Sequence, residues 1–406
     1  MPEKHLPIYK YSISLLVGIT LLASPKNTSS SDMLPTKKVI FKSEYMINNP
    51  FINSRYIVWS QHTKDESGTV FKILSFDTMT GNLIEVATDD SLMEMPGDNN
   101  IYLGIAHCCW ISIDGKGANS FAIKGGKIYQ NHSEIKISKE RLPWKNANIY
   151  NSYVTYLEAN DENLCSYVVD LSEMQPKYIL LTQKASISTT PRLSHNQVVY
   201  EAVDNDGNSS IFLYDLDKNT SLKISQDISS LASNPHVTKN YVYYLSSSTS
   251  NDIVNVICYD IKSHEYTNIY QLKKGLHINM INNPDSDLLI FSTQGDDSDN
   301  TNVICYDPFT RKILCLDKYL SDINMPGSIE LNSGCSQARD IVLTVKNVLL
   351  VLNVDNYGSI SCKYIDKPTS GSMKKRLARI YCNNVIWVES PYGSTISQLY
   401  YLSFGK

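Results

Sequence analysis

The chain has 406 residues, 42% of them hydrophobic, with 37 Lys and Arg against 41 Asp and Glu, for a net charge of −4. That length can bury a large core, and a charge so close to balance excludes a nucleic-acid binder, which shows a basic stripe or a domain pI above about 9. Twenty-seven Tyr against nine Phe, frequent Ser and Asn, and few helical periodicities predict an all-β protein.

In chain order, Lys4, His5 and Lys10 precede an apolar run from Tyr11 to Ala23, and a polar stretch from Ser24 to Ser31 follows. This is the layout of a signal peptide. Residues 1–24 are therefore expected to be a signal peptide or an N-terminal anchor, 25–35 a polar linker, and 36–406 a single domain. The apolar run is shorter than the roughly 20 residues of a comfortable span. The expected location is secreted or periplasmic, with a membrane touched only through that segment if it is not cleaved.

Lys37–Ser43 is strand-like and has no adjacent partner. Beyond it the chain repeats. Asn-Val-Ile-Cys-Tyr-Asp occurs at 255–260 and again at 302–307. The Asp that closes such a run recurs as Asp77, Asp170, Asp215, Asp260, Asp307 and Asp355, at gaps of 93, 45, 45, 47 and 48 residues. The double gap predicts a further member at Ser120–Gly126, with a Gly-Gly turn in place of the Asp. A second ruler agrees: Pro50, Pro191 and Pro235 are each followed nine residues later by an aromatic, Trp59, Tyr200 and Tyr244.

A period of about 45 with four strands per unit predicts a β-propeller. The count is eight blades, or seven if residues 91–137 are an insertion. The last unit lacks its outer strand, and Lys37–Ser43 is predicted to supply it, which removes an exposed edge. The closing Asp reads as a turn former, because Asp commonly bonds a turn backbone.

The units at Thr190–Leu216 and Asn234–Asp260 resemble the TolB-like propeller repeat, in which a Pro-containing turn, a Val-Tyr strand, an Asp-Gly loop and an Ile-x-x-Tyr-Asp strand follow in that order. The likeness covers about half the chain, and the α/β domain that precedes the propeller in TolB has no counterpart in it. The resemblance implies an exported propeller that binds other molecules.

Chemistry is less visible. No Gly-x-Ser-x-Gly elbow and no phosphate-cradling Gly-rich loop are present. His62, His107, His132, His195, His236, His264 and His277 fall one to a unit without metal-ligand spacing, so no metal site is expected, although a propeller can bring distant blades together at its channel. Nine Cys is an odd number. Cys258 and Cys305, in facing sheets about 10 Å apart, are expected to be core rather than a disulfide, as are Cys108 and Cys109. Asp204–Asn208 places oxygens at alternate positions as calcium loops do, yet lacks the distal Glu. It reads as a hairpin, with calcium as the alternative and no other cofactor expected.

The second-to-third strand loops of all units should share one face. They hold Asp65, Glu66, Asp161, Glu162, Asp204, Asp206, Asp252, Asp296, Asp297 and Asp299. Counting the other charges in those loops their sum is −8, so the face is a candidate partner-binding surface that would steer a cationic group; the alternative is a set of solvated turns. The opposite turns carry Lys218, Lys262, Arg311 and Lys312. The leading expectation is a monomeric, non-catalytic propeller binding a protein or peptide through a loop face or the channel mouth. The rival is a channel-sited enzyme, a saccharide lyase or hydrolase. Three or more titratable side chains converging at the channel would favour the enzyme.

Overall fold

A computed structural model describes residues 36–404 apart from 66–67, 90–100, 114–120, 140–141, 143–146, 161–162, 174, 186–188, 227–229, 249–251, 274–276, 282–284, 295–300, 317–330, 338, 346–347 and 367–372. The expected signal peptide and linker lie outside those residues. Thr36–Lys406 forms one compact unit. It begins with β1 (Thr36–Ser43) and continues as seven runs of four strands and one of three.

The first blade is β2 (Ile47–Ile52), β3 (Tyr56–Asp65), β4 (Gly68–Asp77) and β5 (Leu83–Asp89); the second is β6 (Ile101–Leu103), β7 (His107–Ile113), β8 (Phe121–Lys127) and β9 (Ile135–Lys136). Blade three is β10 (Ala147–Tyr150), β11 (Tyr153–Asn160), β12 (Asn163–Asp170) and β13 (Lys177–Thr182). Blade four is β14 (Arg192–Ser194), β15 (Gln197–Val203), β16 (Ser209–Asp215) and β17 (Thr220–Lys223). Blade five is β18 (Ser230–Val237), β19 (Tyr241–Ser248), β20 (Ile253–Asp260) and β21 (Tyr266–Lys273). Blade six is β22 (His277–Ile281), β23 (Leu289–Gln294), β24 (Thr301–Asp307) and β25 (Lys312–Cys315). Blade seven is β26 (Leu331–Gln337), β27 (Asp340–Val345), β28 (Val348–Val354) and β29 (Ile360–Asp366). Blade eight is β30 (Met373–Tyr381), β31 (Asn384–Pro391) and β32 (Ser397–Ser403), and β1 completes it in the order β1-β32-β31-β30.

The predicted closure is present: β1 pairs antiparallel with β32, from Thr36 opposite Ser403 to Ser43 opposite Ser397. Ring closure also follows from the cores. There are eight buried clusters, and each joins one blade to the next. Val58 and Ile73 meet Ile101 and Trp110 between blades one and two, and the sequence continues around to Ile386 and Leu399, which meet Ile47 and Trp59 between blades eight and one. A set of sheets stacked in a row would leave one such face uncovered. The protein is an all-β, eight-bladed β-propeller, and residues 101–136 form a blade rather than an insertion.

Local chemistry explains the repeat. The closing Asp caps the third-to-fourth strand turn: Asp260 Oδ1 accepts from the backbone N–H of Lys262 at 2.8 Å and Ser263 at 2.9 Å, and Asp355 Oδ1 accepts from Tyr357 at 2.8 Å and Ser359 at 2.7 Å. Pro50 and Pro235 sit at bulges in first strands, each after an Asn with positive φ, Asn49 and Asn234. Asn tolerates that conformation, and a proline is tolerated at a bulge of an edge strand because its missing N–H breaks no ladder bond there.

One expectation fails. Gly125 and Gly126 are not a turn but lie within β8, opposite Cys109 and Cys108. A Cβ on Gly125 would come within 2.7 Å of Ile137, and one on Gly126 within 2.8 Å of Val86. The glycines are there for close packing, Gly125 within its own blade and Gly126 against blade one. Cys108, Cys109, Cys258 and Cys305 are buried and free of disulfides, as expected. Burial pushes the thiols of Cys258 and Cys305 up to about 12, so neither supplies a thiolate.

Candidate binding site at the axial channel

The first strand of each blade pairs on one edge only. Neighbouring first strands touch one another, as β2 does β6 and β10 does β14, while fourth strands such as β17 are exposed along their length. The first strands therefore surround the axis, and their unpaired edges face the central channel. Their composition is unusual. None of the eight contains an Asp or a Glu, although the chain has 41. They do contain Arg192, Lys374, Lys375, Arg376 and Arg379, together with His236 and His277.

Arg192 opens β14 in blade four. It keeps some exposed surface although protein atoms surround it, and both hold for a side chain lining a narrow bore. Among the described residues no hydrogen bond or ion pair joins its guanidinium. Burial pushes its pKa down, offset only by Tyr102 of blade two. Arginine cannot shed its proton in a protein, and a buried cation without a partner costs several kcal/mol. His236, in the next blade's first strand, is 7% exposed, and burial followed by the nearby Arg192 holds it neutral.

Arg376 in blade eight is in a similar position. Its Nη2 donates to the Ile47 carbonyl at 3.2 Å, its Nε is buried without a hydrogen-bond partner, and burial pushes its pKa down. Blade eight is four blades from blade four, so the two arginines approach the axis from opposite sides. Arg379 lies with its guanidinium 5.0 Å from the Phe51 ring centroid.

Where first and second strands connect, side chains from several blades meet. Tyr150, at the end of β10, donates its hydroxyl proton to Asp285 Oδ1 at 2.8 Å. Asp285 belongs to blade six, two blades beyond a neighbour of blade three, so this bond spans the channel mouth. His195, with φ 52° in the turn after β14, has its Nδ1 3.4 Å from the Tyr150 hydroxyl and 2.9 Å from Ser194 Oγ. Burial raises the Tyr150 pKa, and Asp285 raises it further; burial lowers that of His195 while Asp285 opposes. Tyr381 of blade eight also feels Asp285. These shifts favour a protonated phenol at Tyr150 and a neutral imidazole at His195, with Asp285 accepting from the phenol.

The acidic face is only partly described. The alternation of strand direction puts every second-to-third strand connection on one side. Asp204, Asp206 and Asp252 are exposed there, and Asp65 is the last residue of β3, opposite Gly68. Glu66, Asp161, Glu162, Asp296, Asp297 and Asp299 lie outside the described residues. Asp204 closes on its own hairpin, accepting at Oδ1 from the N–H of Asp206 and Asn208, both at 2.9 Å, and at Oδ2 from Asn208 Nδ2 at 3.1 Å. Among the described residues no three His, Cys, Asp or Glu converge as a metal site would.

Arg192, Arg376, Tyr150 and Asp285 were not candidates on the sequence. The signal that could have found the arginines is the missing acids, legible only once the first strands are grouped.

No family model matches the sequence, and no curated protein matches it. Several solved structures are similar in fold. The β-propeller domain of the trilobed protease from Pyrococcus furiosus, described as having an open velcro topology, is 7% identical with a TM-score of 0.49, the match covering 90% of this chain and 97% of that one. TolB from Acinetobacter baumannii is 11% identical with a TM-score of 0.40, covering 86% and 82%. A puromycin-hydrolyzing peptidase of Mycobacterium tuberculosis is 10% identical with a TM-score of 0.44, covering 85% of this chain but 58% of that one. The structures it resembles thus include TolB proteins and other propellers, as the likeness of its repeats implies. The architecture itself rests on the strand pairing above.

Proposed function

We propose that the chain is an exported, non-catalytic propeller that binds a protein or peptide partner through the mouth of its axial channel. Tyr150, His195, Asp285 and Tyr381, from blades three, four, six and eight, converge on one opening of a closed ring, which by the criterion above counts toward the enzyme. The observation that carries the binding reading is that the carboxylate of that group is already engaged by the Tyr150 hydroxyl at 2.8 Å, while Arg192 in the bore has no ion-pair partner among the described residues. Tyr150, His195 and Tyr381 sit at strand ends and the turns that follow them, which suits preorganised recognition. Capture from the native extracellular or periplasmic fraction tests it: wild-type protein should retain a partner that Tyr150→Phe with His195→Ala releases. Equal retention by the double variant would contradict it.

The same convergence favours a second reading, a channel-sited saccharide lyase or hydrolase with His195 as general base. A neutral imidazole can accept a proton. Against it stands Tyr150, whose proton is already committed to Asp285. Incubation with acidic oligosaccharides decides between them, since turnover that His195→Gln abolishes would establish the enzyme.

A further inference from the structure

We propose that the axial channel is a receptor for carboxylate groups and that its occupant is an acidic peptide segment; this deepens the binding reading above and rests on it.

The first strands enclose the bore without contributing one acid, in a chain where acids outnumber bases. Of their cations, Lys375 has carboxylates beside it, Asp366 at 3.2 Å and Glu389 at 3.7 Å. Arg192 has none among the described residues, and Arg376 has only a backbone carbonyl and an unsatisfied Nε. A guanidinium that lines the bore with no carboxylate among the described residues is open to an anion that arrives from outside. Its planar fork matches a carboxylate, which can take two parallel N–H bonds.

The mouth sets the entry rather than the contact: there the Tyr150 hydroxyl already donates to the chain's own Asp285, so a carboxylate from outside is received deeper in the bore. Arg192 lies three residues before His195 along β14 and its turn, roughly 10 Å deeper at about 3.3 Å per residue. An extended peptide entering past Tyr150 would place a carboxylate at Arg192 about three residues in. The free edges of the first strands would offer its backbone N–H and C=O groups partners on the way. A small free anion would use one of these positions and leave the others empty.

The test is fluorescence anisotropy with a labelled, C-terminally amidated decaglutamate peptide, alongside a neutral Gly-Ser decapeptide with a free C-terminus and an oligogalacturonate. The full chain should bind decaglutamate, and Arg192→Met should weaken that binding roughly tenfold or more, as loss of a charge-assisted bidentate contact does. Arg376→Met should weaken it less. The melting temperature of Arg192→Met should be no lower than wild type, which separates lost recognition from lost folding. Failure of decaglutamate to bind, or equal binding by Arg192→Met, overturns the proposal. Binding of oligogalacturonate alone also overturns it and assigns the channel to saccharides. Binding of the free-terminus peptide alone upholds the carboxylate receptor and overturns the acidic side chain as its source. If a native partner is retained equally by wild type and Arg192→Met, the carboxylate receptor fails while the binding reading survives; if neither retains one, the binding reading itself fails.

Discussion

Two sets of enclosed cations sit in the same ring and are treated in opposite ways. At the closure between blades seven and eight, Lys37 of β1 reaches Asp366 and Glu389, both at 2.8 Å, and Lys375 faces the same two carboxylates. Trp387 Nε1 adds a bond to Glu389 at 2.9 Å, and Lys37 lies 4.2 Å from the Tyr400 ring centroid. Two positive and two negative charges are matched. Around the bore, Arg192 and Arg376 have no carboxylate among the described residues. Matched charges where the ring must hold, and unmatched ones where it opens, indicate that the first set fixes structure and the second awaits a ligand.

The sharpest way to break the comparison is at the closure. Deleting Thr36–Ser43 removes the fourth strand of blade eight and bares the β32 edge, a template for intermolecular pairing. The monomer peak in size-exclusion chromatography should be lost. Next in size, Lys375→Met leaves the buried Glu389 and the half-buried Asp366 sharing Lys37, and breaking a buried pair costs about 3 kcal/mol, measurable as a fall in the denaturant midpoint. Lys37→Met should cost less, since that side chain is 31% exposed.

A smaller effect is expected in acid. The Arg55 guanidinium beside Asp77, together with the N–H groups of Met79 and Thr80, holds the Asp77 carboxyl well below the usual carboxylate range. A depressed folded-state pKa contributes stability above the unfolded value near pH 4 and loses it as pH falls further. Asp77→Asn should therefore flatten the loss of stability below about pH 4, as followed by urea melts across that range. An unchanged acid limb would mean the pair contributes nothing.

Much of this architecture was legible because its turns are capped by one chemistry. Asp77, Asp215, Asp260, Asp307 and Asp355 each bond the backbone of the same turn, so a carboxylate recurs at a fixed place in every such unit. The missing eighth outer strand was legible from the arithmetic of that recurrence. Gly125 and Gly126 misled because glycine serves tight packing and tight turns equally well, and only Ile137 and Val86 distinguish the two.

The channel was less visible. First strands such as Arg192–Ser194 and Ala147–Tyr150 are too short for any alternation to show. The Tyr150–Asp285 contact joins residues 135 apart in the chain, a closeness created by the ring and by nothing local. His195 and His236 were noted as scattered histidines, and blades two and five in fact hold two each; which end of the blade each occupies depends on turns that the sequence does not distinguish.

The comparison is tested most directly by the signs of two melting-temperature changes measured in the absence of any ligand. Arg192→Met removes a partly exposed charge that has no ion-pair partner among the described residues and should raise the transition or leave it in place, while Lys375→Met unbalances a matched set and should lower it. A loss of stability in both, of similar size, would contradict the account by showing that Arg192 is as much a structural cation as Lys375.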